Sequence, residues 1–350
     1  MYKKLYNYLK ESGAFLITSP HSLRYFTNFS GGEGIAVIGM NFNVLITDSR
    51  YTEAAEKEAE DFKIIQAVPY VSALKELLKE NGINKIYYEE EFLTVKSFEE
   101  IKNALGESFN FEPASSIAED LRIIKSDDEL ECIKKAEAIS SEAYEYVLGK
   151  IREGMSELEL AAELEYYMKK SGAYKTSFDT IVLFGNKTSM PHGISDDTKL
   201  KCGDFITMDF GCIYNGYCSD MTRTVVFGKA SEKQKEIYNV VLEAQLKALE
   251  FLEVGKKAKD ADKIARDIIS DAGYGKFFGH SLGHGVGLLI HEAPNLSPKS
   301  EYILEKNMVV SCEPGIYIPD FGGVRIEDLV VIKDGGIINL TSADKKFTEI

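Results

Sequence analysis

The sequence predicts an α+β protein with two domains, and three observations support this. A chain of 350 residues exceeds the usual size of a single core, and an apolar content of 44% is enough to fill two cores. The first part of the chain alternates short apolar strands with amphipathic helices, whereas the remainder begins with long helical patterns and continues with paired strands. We place the boundary between 117 and 118, ahead of a helical pattern over 118–151.

The N-terminal domain, 1–117, is predicted to be α/β. Its strand candidates are 14–18, 34–39, 43–47, 63–68 and 85–90, and helical patterns follow Asp48 and fill YVSALKELLKENG. The domain contains His21, but no glycine-rich phosphate loop and no cluster of metal-type ligands. We therefore interpret it as scaffold.

The C-terminal domain, 118–350, is predicted to contain paired helices and paired strands. Ser126 and Asp127 are candidate caps for the first helix. Helices are expected at 127–150, 156–171, 231–253 and 257–272, with strands at 178–184, 203–210, 212–218 and 221–227, and further strands to the end. This order suggests two half-domains that face each other.

Composition excludes several classes of function. The 41 basic and 56 acidic residues give a net charge of −15 without a dense basic cluster, which argues against a nucleic-acid partner. No apolar run is long enough to span a membrane, and the N-terminus lacks the features of a signal peptide. The five cysteines are odd in number and have no C-x-x-C spacing, so we expect a cytoplasmic protein without a disulfide framework.

Five potential metal ligands lie in short apolar segments of the C-terminal domain: Asp209, Asp220, His284, Glu313 and Glu327. A carboxylate flanked by apolar residues is desolvated and persists only when positive charge compensates it. A single acidic residue beside a turn is usually a turn former. Five hard oxygen or imidazole donors in one stretch of chain instead indicate a metal centre.

The spacing of the carboxylates predicts that they meet in pairs. Asp209 and Asp220 flank Asn215-Gly216, a strong hairpin signal, and a second hairpin would join Glu313 to Glu327. Four carboxylates facing each other carry enough charge for two divalent ions, with His284 on one of them. Oxygen-rich donors with one imidazole favour Mn²⁺ or Co²⁺, although Zn²⁺ is also compatible.

Such a centre predicts hydrolysis of an amide. Two ions about 3.5–4 Å apart would activate a shared water for attack on a carbonyl. His192 and His291 are candidates to bind the developing charge or the leaving group, and Arg325 is either an ion-pair partner of the carboxylates or a clamp for a substrate carboxylate. His280 is assigned to packing or support, because the surrounding glycines argue against a helical His280/His284 zinc pair.

These segments resemble the pita-bread metallopeptidases, specifically the branch with prolidase and aminopeptidase P. The matching strings are SFDTIVLFG, MPHG, ITMDFG, CSDMTRT, GHSLGHGVGLLIHEAP, SCEPGIY and VRIEDLVV in 177–332, preceded by TDSRYTEAAEKEA at 47–59 and LRIIKSDDELECIKKA at 121–136. The resemblance implies a creatinase-like N-terminal domain and a pita-bread catalytic domain with pseudo-twofold halves. It also implies a dinuclear site on the five ligands, substrate-handling roles for His192, His291 and Arg325, and a homodimer.

The resemblance implies hydrolysis of Xaa-Pro bonds, in which proline removes the N–H and fixes φ. We favour a prolidase acting on dipeptides, with aminopeptidase P, acting on longer peptides, as the alternative. Methionine aminopeptidases share GHG-x-G but generally lack such an N-terminal domain. Creatinase and non-catalytic binding proteins on this fold are disfavoured because every ligand position is filled.

Overall fold

The computed structural model describes residues 1–9 and 12–350, and the chain divides into two compact units, Met1–Arg122 and Ile123–Ile350. The predicted boundary at 117/118 falls inside helix Ser115–Ile123. Within the described ranges, no helix is both long and apolar enough to cross a membrane.

The first unit is an α/β domain. Its strands are β1 (Gly13–Ile17), β2 (Ile35–Gly39), β3 (Asn43–Thr47), β4 (Lys63–Gln66), β5 (Lys85–Tyr88) and β6 (Asn110–Pro113). Its helices are α1 (Pro20–Thr27), α2 (Thr52–Glu58), α3 (Tyr70–Glu80), α4 (Val95–Leu105) and α5 (Ser115–Ile123), with a 3₁₀ helix at Tyr2–Asn7.

These strands form a mixed sheet in the order β4-β3-β2-β1-β5-β6. β1 and β2 pair antiparallel, and both are buried along their whole length, as their apolar runs predict. The five strands predicted from sequence are confirmed, with ends shifted by a residue or two. β6 was missed because it is largely exposed and lacks an apolar run.

The second unit contains the remaining elements. Its helices are α6 (Asp127–Leu148), α7 (Glu157–Lys170), α8 (Glu232–Phe251) and α9 (Ala258–Asp271), with 3₁₀ helices at Gly185–Ser189 and Gly275–Phe277. Its strands are β7 (Lys175–Thr176), β8 (Ile181–Phe184), β9 (Phe205–Phe210), β10 (Cys212–Tyr214), β11 (Tyr217–Cys218), β12 (Met221–Val226), β13 (Gly283–Gly285), β14 (Glu292–Leu296), β15 (Val309–Cys312), β16 (Gly315–Ile318), β17 (Gly322–Arg325), β18 (Asp328–Lys333) and β19 (Gly336–Asn339).

The helix expected at 127–150, with Ser126 as a candidate cap, is confirmed as α6, and the earlier part of the helical pattern over 118–151 belongs to a separate helix, α5. α5 ends at Ile123, and α6 begins after Ser126. The Ser126 side chain accepts from the N–H of Glu129, and the Glu129 carboxylate accepts from the N–H of Ser126. This reciprocal capping box starts a new helix within the helical pattern.

The second unit is built as two successive halves. In the first half, α6 and α7 accompany the sheets β11-β10-β7 and β12-β9-β8; in the second, α8 and α9 accompany β14-β13-β15-β18-β19 and β16-β17. Each half has its own apolar cluster, one around α6 and α7 and one around α8 and α9. This arrangement agrees with the half-domains predicted from sequence.

The predicted Asn215-Gly216 hairpin is confirmed. β10 and β11 pair antiparallel with Tyr214 opposite Tyr217. Asn215 and Gly216 both have positive φ, 48° and 85°, as a tight turn between twisted strands requires. The hairpin returns the chain so that β12 can pair with β9.

Candidate metal centre

The eight residues singled out from sequence line one cavity of about 520 Å³. They are Asp209, Asp220, His284, Glu313, Glu327, His192, His291 and Arg325. Apolar side chains of Phe178, Ile181 and Ile290 also line this cavity. The fold therefore gathers residues that are widely separated along the chain around one space.

Strand pairing positions the first two carboxylates. Asp209 lies on β9 opposite Thr222 of β12, and Asp220 directly precedes β12. Asp209 thus lies on one strand, and Asp220 lies immediately before the adjacent strand of the same sheet, as the hairpin prediction required.

The glutamates are placed by an equivalent arrangement in the second half. Glu313 directly follows β15, and Glu327 directly precedes β18. β15 and β18 pair antiparallel, with Cys312 opposite Asp328. The connecting chain forms the hairpin of β16 and β17, so the second predicted pairing also occurs.

The His284 imidazole connects the two groups of carboxylates. Its Nδ1 lies 3.1 Å from the carbonyl oxygen of Gly285, while Nε2 lies 3.4 Å from Asp220 Oδ2 and 3.3 Å from Glu313 Oε1. Nδ1 donates its proton to this carbonyl, so Nε2 is the ring nitrogen that faces the carboxylates. When protonated, Nε2 donates to Glu313, and when deprotonated it offers the lone pair that binds metals. The Ser311 hydroxyl donates to Glu313 Oε1 over 3.0 Å and accepts from the backbone N–H of His284.

The site contains more negative charge than its own residues compensate. Burial, followed by the charge of Glu327, raises the pKa of Asp220 well above its ordinary value. Burial and the charges of Glu313 and Asp209 do the same to the pKa of Glu327. Glu313 differs: burial opposes its ionisation, but the hydrogen bond and charge of His284 lower its pKa to about 2.

Two buried carboxylate oxygens, Asp209 Oδ1 and Glu327 Oε1, have no hydrogen-bond partner within the described chain. Such orphaned acceptors are costly in a protein interior. Ligand atoms from Asp220, His284 and Glu327 all lie within 4.8 Å of one another. Mutual repulsion, orphaned oxygens and hard donors together fit a site for divalent cations.

Arg325 is the cation among these carboxylates. Its buried guanidinium donates to Asp209 Oδ2 over 2.5 Å, to the Thr222 hydroxyl over 3.0 Å and to the Tyr317 hydroxyl over 3.0 Å. With three sides of the guanidinium engaged, this geometry favours the ion-pair alternative over the substrate clamp.

His291 and His192, the other two histidines predicted for the site, are held less tightly than His284. His291 is exposed, and its ring meets the His284 ring edge to face at 4.4 Å between centroids. Although the side chain is exposed, partial desolvation by the surrounding protein and the charge of His284 lower the pKa of His291, which favours its neutral form. The exposed His192 side chain lines the same cavity, and among the described residues no hydrogen bond to its imidazole is found.

The sequence indicated a supporting role for His280, but it did not indicate such roles for Thr222, Glu137 and Tyr317. His280 was assigned to packing or support; it lines the cavity and contacts the Tyr317 hydroxyl through Nε2 at 2.8 Å. Thr222 donates to Glu327 Oε2 over 2.7 Å, and the buried Glu137 accepts from the N–H of Asp220 at 3.2 Å. Tyr317 and Thr222 lie inside strings already singled out, but Glu137, on α6, carries no comparable local signal.

The cysteines beside the ligands are placed as expected. Cys212, Cys218 and Cys312 are buried, and all five cysteines are free thiols. Burial raises the pKa of Cys212 to about 11, so this thiol stays protonated. The three buried cysteines pack as small apolar side chains.

Comparison with known proteins places both units in described families. Residues 131–334 match metallopeptidase family M24, and residues 2–124 match the creatinase/prolidase N-terminal domain. The chain is 40% identical over 348 residues to the Xaa-Pro dipeptidase of Pyrococcus furiosus, covering 98% of each chain.

Solved structures give the same result over the whole length. An Xaa-Pro dipeptidase from Bacillus anthracis is 42% identical with a TM-score of 0.96, covering 100% of this chain and 99% of that chain. An X-Pro aminopeptidase from Thermotoga maritima is 39% identical with a TM-score of 0.93, covering 99% of both chains.

Proposed function

The chain belongs to metallopeptidase family M24, and from this premise we propose that it is a dinuclear metal-dependent Xaa-Pro dipeptidase. The observation that carries the proposal is the complete donor set: four carboxylates that are buried or largely covered line one cavity with one imidazole, and two of the carboxylate oxygens have no hydrogen-bond partner within the described chain. The bond specificity is supported by full-length relatives named Xaa-Pro dipeptidase.

Asp209, Asp220, His284, Glu313 and Glu327 would hold two divalent ions, which we expect to be Mn²⁺, with Co²⁺ or Zn²⁺ as alternatives. When bound, such ions supply Lewis acidity toward the peptide carbonyl and lower the pKa of water. The repulsion that raises the pKa of Asp220 and Glu327 is the charge that these cations would offset.

The remaining residues of the cavity would bind and orient the peptide. The imidazoles of His192 and His291 face the cavity and are suited to hydrogen-bond the carbonyl oxygen or the departing proline nitrogen. Phe178, Ile181 and Ile290 give the cavity an apolar wall that suits a pyrrolidine ring. Arg325 would hold Asp209 in place through their ion pair.

The proposal extends to assembly and location. The substrate is a proline-containing dipeptide, the partner is a second copy of this chain in a homodimer, and nucleic acids and membranes are not involved. Five free thiols suit the reducing cytoplasm, where we place the enzyme.

Aminopeptidase P activity is the second candidate. A solved relative bears the name X-Pro aminopeptidase at an identity close to that of the dipeptidases. A second cavity of about 340 Å³ shares Pro191, His192 and His280 with the first, which gives room for residues beyond proline.

A comparison of kcat/KM for an Xaa-Pro dipeptide and the matching Xaa-Pro-Yaa tripeptide separates the two candidates. We expect the dipeptide to be preferred; a strong preference for the tripeptide would instead establish the aminopeptidase.

Removal of metal with a chelator tests the chemistry itself. We expect Xaa-Pro hydrolysis to disappear and to return when Mn²⁺ or Co²⁺ is added. Full activity in the metal-free protein would refute the proposal. No bound metal together with no hydrolysis of any proline peptide would favour a binding protein.

A further inference from the structure

The segment that carries His192 is a long connection between β8 and β9. It comprises residues 185–204, and we call its first part, 185–198, the His192 loop. Its flanking side chains Met190 and Ile194 are exposed at 46% and 84%. The loop therefore lies at the surface, and burial of its own apolar side chains does not fix the position of His192.

A buried ion pair lies beneath this loop. Glu157, the first residue of α7, has a side chain that is 0% exposed, and its Oε2 lies 2.5 Å from Lys187 Nζ. The Lys187 side chain, at 18%, is also largely covered. Burial of a charged pair is costly unless the remaining polar atoms are satisfied, so the contacts around this pair are informative.

The Glu157 carboxylate binds the backbone on both sides of His192. Its Oε1 accepts from the N–H of Phe184 at 2.8 Å, and its Oε2 accepts from the N–H of Asp196 at 3.0 Å. One carboxylate thus holds the residue preceding the loop and a residue near its end.

Lys187 completes the attachment from within the loop. Its ammonium contacts Asp196 Oδ2 at 2.9 Å and the carbonyl oxygen of Ile194 at 3.3 Å. Glu157 is itself held firmly, because α7 begins with a capping box between Ser156 and Glu159. The His192 loop is therefore attached to the N-terminus of α7 through the Glu157 side chain.

We propose that Glu157 and Lys187 are positioning residues for His192: their buried ion pair fastens both ends of the His192 loop and so sets where the imidazole stands in the cavity. The inference rests on the proposed function only in giving His192 a role toward the peptide. Because no hydrogen bond to the imidazole is found among the described residues, the backbone decides its position. A displacement of about 1 Å at a reacting group can cost as much as about 100-fold in rate.

A double-mutant cycle on the full-length, metal-loaded enzyme tests this. Glu157→Gln keeps the shape of the side chain but removes its charge, and His192→Ala removes the group being positioned. We expect Glu157→Gln to lower kcat/KM for an Xaa-Pro dipeptide by about 10- to 100-fold with metal content unchanged. In the His192→Ala background the same change should have little further effect, since the imidazole is already absent.

Equal fold-losses in the two backgrounds would overturn the inference, because a merely structural role lowers activity whether or not His192 is present. No loss in Glu157→Gln would overturn it as well. Full activity in His192→Ala alone would instead refute the role given to His192 under the proposed function, so the two failures are distinguishable.

Thermal unfolding of each variant shows whether it folds. If Glu157→Gln does not fold, Lys187→Met replaces it in the same double-mutant cycle, because it removes the other partner of the ion pair. The matched control is Lys199→Met. Lys199 forms an exposed ion pair with Glu159 at 3.6 Å, just beyond the loop, and its loss should leave kcat/KM unchanged.

Discussion

Loss of the ion pair between Lys125 and Glu292 is predicted to lower the stability of the protein. Lys125 Nζ lies 2.7 Å from Glu292 Oε1, and the two side chains are only 1% and 6% exposed. The other Glu292 oxygen has a long contact of 3.4 Å with the N–H of Leu289. Glu292 therefore depends on Lys125 for its charge compensation, and it directly follows His291.

Lys125→Met removes the positive charge while keeping a side chain of similar length. It leaves a buried carboxylate without a partner, a change that costs about 3–5 kcal/mol. For a unit of this size, each kcal/mol lowers Tm by about 2–4 °C, so we expect a fall of roughly 6–20 °C. Replacing both partners, Lys125→Met with Glu292→Gln, should restore most of the loss because no unpaired charge remains.

Differential scanning calorimetry of the three proteins checks this, with Lys259→Met as control. Lys259 pairs with Glu301 at 2.8 Å, but the Glu301 side chain is 80% exposed, so its loss should cost about 0–1 kcal/mol. If Lys125→Met shifts Tm no more than the control does, or if the double variant is no more stable than the single one, the pair does not provide this compensation.

Two further predictions concern the site and its support. Asp220→Ala should abolish activity and lower metal occupancy, whereas His291→Ala should reduce kcat with metal retained; equal metal loss in both, measured by elemental analysis, would contradict the division of roles. Gly211→Ala should destabilise the protein by about 1–3 kcal/mol, because a Cβ there would lie 2.0 Å from a backbone oxygen, that of Ser219. Gly149→Ala, whose nearest neighbour would be at 3.8 Å, should be close to neutral in the same thermal melt.

The proposed metal donors stood out in the sequence because each one violates a local expectation. Asp209 and Glu327 interrupt apolar strand patterns, and the Asn215-Gly216 signal specifies the turn that brings the first pair together. Such signals lie within a few residues of the feature that they predict. The same locality explains why the five strands predicted for the first unit were found.

The supporting residues could not be recognised, because their partners are remote in the chain. Glu137 accepts from the N–H of Asp220 across 83 positions, and Glu157 holds Asp196 across 39. In the sequence, both residues have the pattern of exposed acidic residues on a helix. Only the tertiary structure shows that they are buried. Edge strand β6 was missed for a related reason, since tertiary pairing rather than an apolar pattern defines it.

Glu327 and Asp328, adjacent in the chain, show how a proposed ligand carboxylate differs from a structural one. Both side chains are almost completely buried. Asp328 is met by the Arg223 guanidinium at 2.8 Å and by the Lys345 ammonium, and although burial opposes ionisation, these cations lower its pKa. Its charge is balanced by the protein itself.

Glu327, one residue earlier, receives a hydrogen bond from Thr222 on one oxygen and has no partner on the other within the described chain. Burial and neighbouring carboxylates raise its pKa. Burial alone therefore does not identify a metal ligand, because Asp328 is equally buried. The two carboxylates differ in charge compensation: the protein places cations beside Asp328 but leaves one oxygen of Glu327 without a partner. We therefore propose that Glu327 binds metal while Asp328 anchors the strand behind it.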